Sequence, residues 1–263
     1  MARYDFRQPR LYVDSPLKAG GEVALDRDAT NYLRNVLRLG SGDGVLVFNG
    51  RDGEWQAALA GGSKRLALAV GDRKRPQPAD ADLHYIFAPI KHARLDYMVQ
   101  KAVEMGASLL QPVVTQHTQV ARVNTERMRA NAIEAAQQCG ILALPECAEP
   151  LAFKAMLERL KPDRLLIFCD EEAEIKNPVA ALREGRAPPS ALVPVAAQRG
   201  APLAVLIGPE GGFSDEERAA LLKRPNTVRL SLGPRILRAD TAAVAALALV
   251  QAALGDWRDT DED

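Results

Sequence analysis

Apolar runs that alternate with helical patterns after residue 82 constrain this chain more than any other feature. The runs are His84 to Ile90, Leu109 to Val114, Arg164 to Cys169, Leu203 to Ile207 and Val228 to Leu232. Each is long enough for one buried strand and too short for a core helix. Between the first two lies a segment in which Leu95, Met98, Val99, Ala102 and Met105 share one helical face. Asn124 to Gln138 reads as a second helix, with Asn124 or Thr125 as its cap. Ala242 to Leu254 reads as a third, apolar on nearly all sides, which implies burial against the sheet or another subunit. Apolar strands alternating with helices predict an α/β fold with a parallel sheet covered on both faces.

The first part of the chain follows a different rule. Arg10 to Val13, Val45 to Phe48, Glu54 to Leu59 and Leu66 to Val70 are short β-like runs separated by glycine-rich turns. Tyr32, Leu33, Val36 and Leu37 recur at helical spacing within Ala29 to Leu37. A small β-barrel with one short helix is the expectation. The stretch Asp72 to Asp82 mixes charges with two prolines and has no apolar periodicity. It divides the chain into a unit at 1–73, a linker at 74–82, a larger unit at 83–255 and an acidic tail at 256–263. The Ala- and Pro-rich stretch Arg183 to Pro202 reads as a surface loop.

Composition narrows the function classes. The formal charge is +0, from 34 basic and 34 acidic residues, where nucleic-acid binders are often basic. Residues 1–75 nevertheless hold 13 Lys and Arg against 9 Asp and Glu, so a local basic face is available. No run approaches the roughly 18 apolar residues of a membrane span. The beginning, MARYDFRQPR, is polar, and a cytoplasmic location is expected. Cys139, Cys147 and Cys169 lack Cys-x-x-Cys spacing, so neither a disulfide nor a zinc site is expected and all three read as small buried hydrophobes. His84, His92 and His117 are scattered, without metal-ligand spacing or a Ser or Cys nucleophile beside them, and read as structural or exposed.

Two segments carry chemistry. In the first, the apolar run ending at Ile207 enters a turn made by Gly208, Pro209, Glu210, Gly211 and Gly212. A helix then starts with Ser214 as cap and Glu217 three residues on, the capping-box spacing. Ligands of parallel sheets bind beyond the carboxyl ends of strands, where this loop lies. Neither phosphate fingerprint is present, and Glu210 would repel a phosphate, so a neutral or cationic ligand suits the loop better. As pattern alone the segment serves equally as a structural strand–turn–helix. In the second, a strand ends at Leu232, Gly233 and Pro234 turn the chain, and Arg235 and Arg238 precede a helix capped by Asp240 or Thr241. Two loop arginines beside a helix N-terminus suit an anionic partner, or simply pair with Asp240 and Glu210.

These segments, with others along nearly the whole chain, resemble the ribosomal RNA small-subunit methyltransferases that make 3-methyluridine in 16S RNA, members of the SPOUT superfamily. The resemblance rests on Arg3 to Arg7, Tyr32 to Gly40 and Gly42-Asp43 in a PUA-like domain. It continues through Lys91, Lys101 to Gly106, Pro112, Glu134 to Cys139, Ile207 to Ser214 and Leu232 to Arg238. Asn31 stands where His is common, Gln116-His117 where Arg is common, and Asp240 where Glu is usual.

The resemblance implies a C-terminal domain threaded into a trefoil knot, an exception to the rule against threaded loops. It implies S-adenosylmethionine held largely by backbone at Ile207, Gly208, Pro209, Glu210, Gly211 and Gly212, and at Leu230, Leu232, Gly233, Ile236, Leu237 and Arg238. Arg235 or Arg238 would then stabilise a uridine anion, with Glu210 and Asp240 as candidate bases. Arg3, Arg7, Arg34 and Arg38 would contact phosphates of 16S ribosomal RNA or the small subunit. A homodimer is implied; a membrane and a metal are not. Three rivals remain open: a SPOUT enzyme acting on another RNA, a non-catalytic RNA-binding protein, and a nucleotide-dependent Rossmann enzyme.

Overall fold

The computed structural model describes residues 8–62, 65–79, 81–120, 122–174, 177–184 and 202–257. Arg3, Arg7, most of the Arg183 to Pro202 loop and the end of the acidic tail lie outside them, as does the side chain of His92. The chain forms two compact units, one of residues 1–80 with 133–144 and one of residues 81–132 with 145–263. Among the described residues no helix is long and apolar enough to cross a membrane.

The first unit contains β1 (Arg10–Tyr12), β2 (Glu22–Ala24), α1 (Arg27–Asn31), β3 (Gly44–Phe48), β4 (Glu54–Gly62) and β5 (Arg65–Arg75). Their order is β1-β3-β4-β5-β2, a mixed sheet in which β1 runs parallel to β3 and the other pairs are antiparallel. Alternation decides the inner face: Val45 and Val47, Ala57 and Leu59, and Leu66, Leu68 and Val70 pack together with Leu33. Strand β2, only three residues long, escaped the sequence reading. Asp26 caps α1 by accepting from Ala29 N at 2.7 Å. The chain then widens into a π-helical turn, Tyr32–Val36, closed by Leu37 N donating to Tyr32 O, and this turn buries Leu33 fully.

Two features of this unit lay beyond sequence periodicity. Strand β5 continues into the stretch expected as linker and ends at Arg75. The reason is electrostatic. Buried Glu54 accepts from Arg10 Nε at 2.9 Å and from Arg75 Nε at 2.8 Å, which pins the end of β5 to β4. Burial pushes the Glu54 carboxyl up, and the hydrogen bonds and charges of Arg75 and Arg10 outweigh it, holding it below the usual value. Residues 133–144 also return to this unit. There Gln137 accepts from Tyr12 N at 2.7 Å, and Gly140 O and Leu142 O accept from Arg75 and Gln77.

The second unit contains β6 (Leu83–Phe87), α2 (His92–Glu104), β7 (Leu109–Val114), β8 (Glu146–Cys147), β9 (Leu151–Ala152), α4 (Phe153–Arg159), β10 (Leu165–Cys169), α5 (Pro178–Glu184), β11 (Leu203–Ile207), α6 (Asp215–Lys223), β12 (Thr227–Leu230) and α7 (Ala239–Leu254). Helix α3 (Thr125–Cys139) begins here, with Asn124 accepting from Arg127 N at 2.9 Å, and its last turns count with the first unit. All strand pairs are parallel, in the order β12-β10-β11-β6-β7-β8, with β9 pairing β7. The parallel sheet expected from the apolar runs is present. Its central strand β11 is buried at every position, as a strand covered on both faces must be.

Helix α7 packs against α2, α5 and β11. It starts at Ala239, three residues before the expected Ala242, and neither Asp240 nor Thr241 is its cap. The first helical bond, Ala242 N to Arg238 O at 2.8 Å, makes Arg238 the capping residue and draws Asp240 into the first turn. Cys139 is exposed at the end of α3, against the expectation of burial, while Cys147 and Cys169 are partly buried. The His84 imidazole is pushed down to about 4 by burial and by Arg164, which Asp82 at 3.6 Å does not offset. It is therefore neutral at physiological pH.

A candidate ligand cavity at the carboxyl ends of the strands

Strands β6, β10, β11 and β12 run in one direction, so their carboxyl ends open on one edge of the sheet. A cavity of about 840 Å³ lies there. The segments leaving all four strands line it: Pro89 to Arg94, Phe168 to Glu172, Ile207 to Phe213 and Leu230 to Ala242 contribute its walls. Parallel α/β sheets place ligands at such a position.

Two glycines of the first loop, Gly208 and Gly212, have local reasons. At Gly208 an added Cβ would stand 2.5 Å from the Phe213 ring, which folds back over the loop. Phe213 is itself held edge-on against Phe168, ring centroids 5.1 Å apart. Gly212 has φ 70 and donates to Pro209 O at 3.0 Å, closing the turn. The expected capping box is present: Ser214 accepts from Glu217 N at 3.3 Å, and Glu217 accepts from Ser214 N at 3.1 Å. This reciprocal pairing satisfies the Ser214 and Glu217 amides from within the protein. In the second loop Gly233 has φ 102 and nothing within 4 Å of where a Cβ would stand. Backbone there borders open space.

Of the residues singled out for cofactor binding, Ile207, Gly208, Pro209, Glu210, Gly212, Leu230, Leu232, Gly233, Ile236, Leu237 and Arg238 all line the cavity. Gly211 does not; its carbonyl, with that of Gly212, lies 3.1 Å from His117 Nδ1. Among the four residues considered for catalysis, Arg235, Arg238 and Glu210 line the cavity and Asp240 lies beside it. Arg34 is half-buried and Arg38 exposed in the first unit, where Arg38 adopts φ 57.

The arginines do not pair as the alternative in the sequence allowed. Arg235 and Arg238 are exposed and make no ion pair among the described residues. Arg94, from the first turn of α2, takes both carboxylates instead: Nη1 lies 2.9 Å from Glu210 Oε1, and Nε lies 3.8 Å from Asp240 Oδ2.

Sequence reasoning also missed the far wall. Asp170 directly follows β10 and is buried, accepting from Arg218 Nη2 at 3.0 Å and Arg229 Nε at 2.8 Å. Arg218 also pairs with Glu172, and Arg229 donates to Glu172 O at 3.1 Å. Its position just past a strand end was the available signal. Next to it, the Cys169 thiol is pushed up to about 12 by burial and by Asp170, so it stays protonated and is no nucleophile. Among the described residues no group of His, Cys, Asp and Glu is placed to hold a metal ion.

Comparison with known proteins adds independent findings. Residues 77–251 match the model of an RNA methyltransferase domain, and residues 25–70 that of an RNA methyltransferase PUA domain. A ribosomal RNA small subunit methyltransferase E of Rickettsia conorii is 29% identical over 92% of this chain and 94% of its own length. Its counterpart in a Synechocystis species is 31% identical over 88% of this chain and 73% of its own. A methyltransferase structure from Legionella pneumophila, in complex with the bound cofactor SAM, superposes with a TM-score of 0.74 at 27% identity, covering 93% of this chain and 97% of that one. The fold is also that of a Neisseria gonorrhoeae small subunit methyltransferase E structure, with a TM-score of 0.76 at 24% identity and coverage of 95% and 100%.

Proposed function

Since the chain belongs to the RNA methyltransferase family defined by the domain matched at residues 77–251, we propose that it methylates 16S ribosomal RNA of the small subunit with S-adenosylmethionine, at ring nitrogen 3 of one uridine. The observation that carries the reading is the meeting of two glycine-bearing loops, Ile207 to Gly212 and Leu230 to Arg238, in one cavity at the strand ends. The relatives named as small-subunit methyltransferases, and the SAM-bound neighbour at 27% identity, support the substrate and the cofactor.

The residues present fit that cofactor. The walls combine apolar side chains (Ile207, Leu230, Leu232, Leu237) with Glu171, while Glu210, Asp170 and Glu172 are already paired with Arg94, Arg218 and Arg229. Apolar walls without a phosphate-binding glycine fingerprint suit an adenosyl group that carries no phosphate better than a nucleotide triphosphate. When bound, S-adenosylmethionine supplies a methyl group on a sulfonium, an electrophile that needs no further activation. Backbone at Gly233 can be approached closely, because nothing stands within 4 Å of where a Cβ would be. The reading includes the trefoil knot, with which the strand order β12-β10-β11-β6 and the placing of both loops at one edge are compatible.

The chain's own residues then have a defined task. The ring nitrogen of uridine is a poor nucleophile until its proton leaves. Glu210 or Asp240 would accept that proton, and Arg238 or Arg235, exposed at the cavity and without an ion pair among the described residues, would stabilise the negative charge left on the ring. Arg34 and Arg38 of the PUA-like unit would contact phosphate, with Arg3 and Arg7 completing the set outside the described residues. A homodimer belongs to the same reading, with the half-buried stripe Val244, Ala245, Ala248 and Leu249 on α7 as its surface.

Calorimetry tests the cofactor part directly. S-adenosylmethionine is expected to bind once per chain in the micromolar range, about −8 kcal/mol, and ATP not at all. Binding of ATP in preference to S-adenosylmethionine contradicts the assignment.

A further inference from the structure

We infer that Arg94 is a positioning residue that clamps the two loops of the cavity to each other through Glu210 and Asp240. Arg94 is the third residue of α2, so its Cα belongs to a rigid helix anchored by buried Leu95, Met98 and Val99. Its guanidinium reaches Glu210 Oε1 at 2.9 Å with one nitrogen and Asp240 Oδ2 at 3.8 Å with another. Glu210 stands in the middle of the first loop, between Pro209 and Gly211. Asp240 stands in the first turn of α7, two residues after Arg238. One side chain therefore ties the segment assigned to the cofactor to the segment carrying the exposed arginine.

The need for such a tie follows from composition. A loop with three glycines has more backbone freedom to lose on ordering than a loop of its length without them. Its internal bonds fix only part of it: Gly212 N to Pro209 O closes the turn, and Phe213 covers Gly208. Glu210, exposed at the turn's tip, has no anchor within the loop, and Arg94 supplies one from outside. Asp240 is favoured where it is by the partial positive charge of the α7 N-terminus, so it is a fixed second post. Arg94 also neutralises two carboxylates at the mouth of a cavity that must admit an anionic RNA. A guanidinium fork can serve two carboxylates at once, whereas an ammonium is a single point of charge.

The inference rests on the cofactor reading for one of its two readouts only. Hydrogen exchange by NMR on the ligand-free protein is the first. In Arg94→Gln the amides of Gly212 and Ala242, bonded to Pro209 O and Arg238 O, should exchange about fivefold faster, the upper end for a half-exposed ion pair. The amide of Ala88, bonded to Ile207 O in the sheet, should not change. The second readout is affinity for S-adenosylmethionine. Arg94→Gln and Glu210→Gln should each weaken it by about fivefold, and the double variant by no more than Arg94→Gln alone, because the Glu210 contact is already lost there. Unchanged exchange at both amides, or a rise that includes Ala88, overturns the clamp, as does simple additivity in the double variant. If the wild type fails to bind S-adenosylmethionine, the proposed function falls while the exchange data still decide the clamp.

Discussion

Replacing Arg238 by Ala is expected to lower the rate of methyl transfer by about 10²-fold or more, the effect of removing one preorganised donor from a developing anion. The cofactor contacts assigned to this position run through backbone, which the substitution leaves in place. Affinity for S-adenosylmethionine should therefore stay within about threefold, under 1 kcal/mol. Arg238 is suited to the task because no carboxylate among the described residues engages it; Arg94 has taken Glu210 and Asp240. Single-turnover kinetics with cofactor and small subunits separate binding from chemistry. Unchanged turnover removes Arg238 from the mechanism and leaves Arg235 as the remaining exposed loop arginine.

The second large effect concerns stability rather than rate. Asp170→Ala is expected to destabilise the methyltransferase unit by about 3 kcal/mol, the lower end for breaking a buried charged network. Asp170 side-chain exposure is 5%, and its two partners Arg218 and Arg229 are 17% and 37% exposed. Losing the carboxylate leaves Arg218, with little access to water, only its Glu172 partner, and Arg229 is wet enough to recover, which is why the lower end applies. For a unit of this size the melting temperature should fall by roughly 6–12 °C. The change also leaves the loop after β10 held to α6 and β12 only through Glu172, so cofactor affinity should fall with stability. A loss below about 0.5 kcal/mol in urea denaturation would show that the pairs behave as solvated surface contacts.

What could be read from the sequence was whatever depends on neighbours along the chain. The parallel sheet was legible because five short apolar runs with no alternation have few other uses. The Gly208 to Ser214 loop was legible because glycine freedom and the Ser214–Glu217 cap are local properties. The reading lost ground where partners are distant. Arg94 and Glu210 are 116 positions apart, and nothing in the spacing of α2 announces the pair. Nothing in the sequence beside Asp170 announces Arg218 and Arg229, which the fold brings to it from α6 and β12. The end of β5 was taken for linker because its charges resemble a solvated run, yet Arg75 is tied to buried Glu54.

Local rules also gave one wrong boundary. Asp240 and Thr241 are good capping residues, so α7 was expected to begin after them. The helix begins at Ala239 instead, because the Arg238 carbonyl already accepts from Ala242 N. This shift turns Asp240 from a cap into a partner of Arg94 and sets Arg238 at the helix entrance, beside the cavity. His117 shows the converse limit. It has no metal-ligand spacing, and its place against the Gly211 and Gly212 carbonyls follows only from how β7 and β11 lie in the sheet.

The most direct test is transfer of labelled methyl from S-adenosylmethionine to small ribosomal subunits lacking the modification, followed by nucleoside analysis. The account predicts label on ring nitrogen 3 of a single uridine in 16S RNA. Label on another atom, on several nucleotides, or on none despite bound cofactor would contradict it.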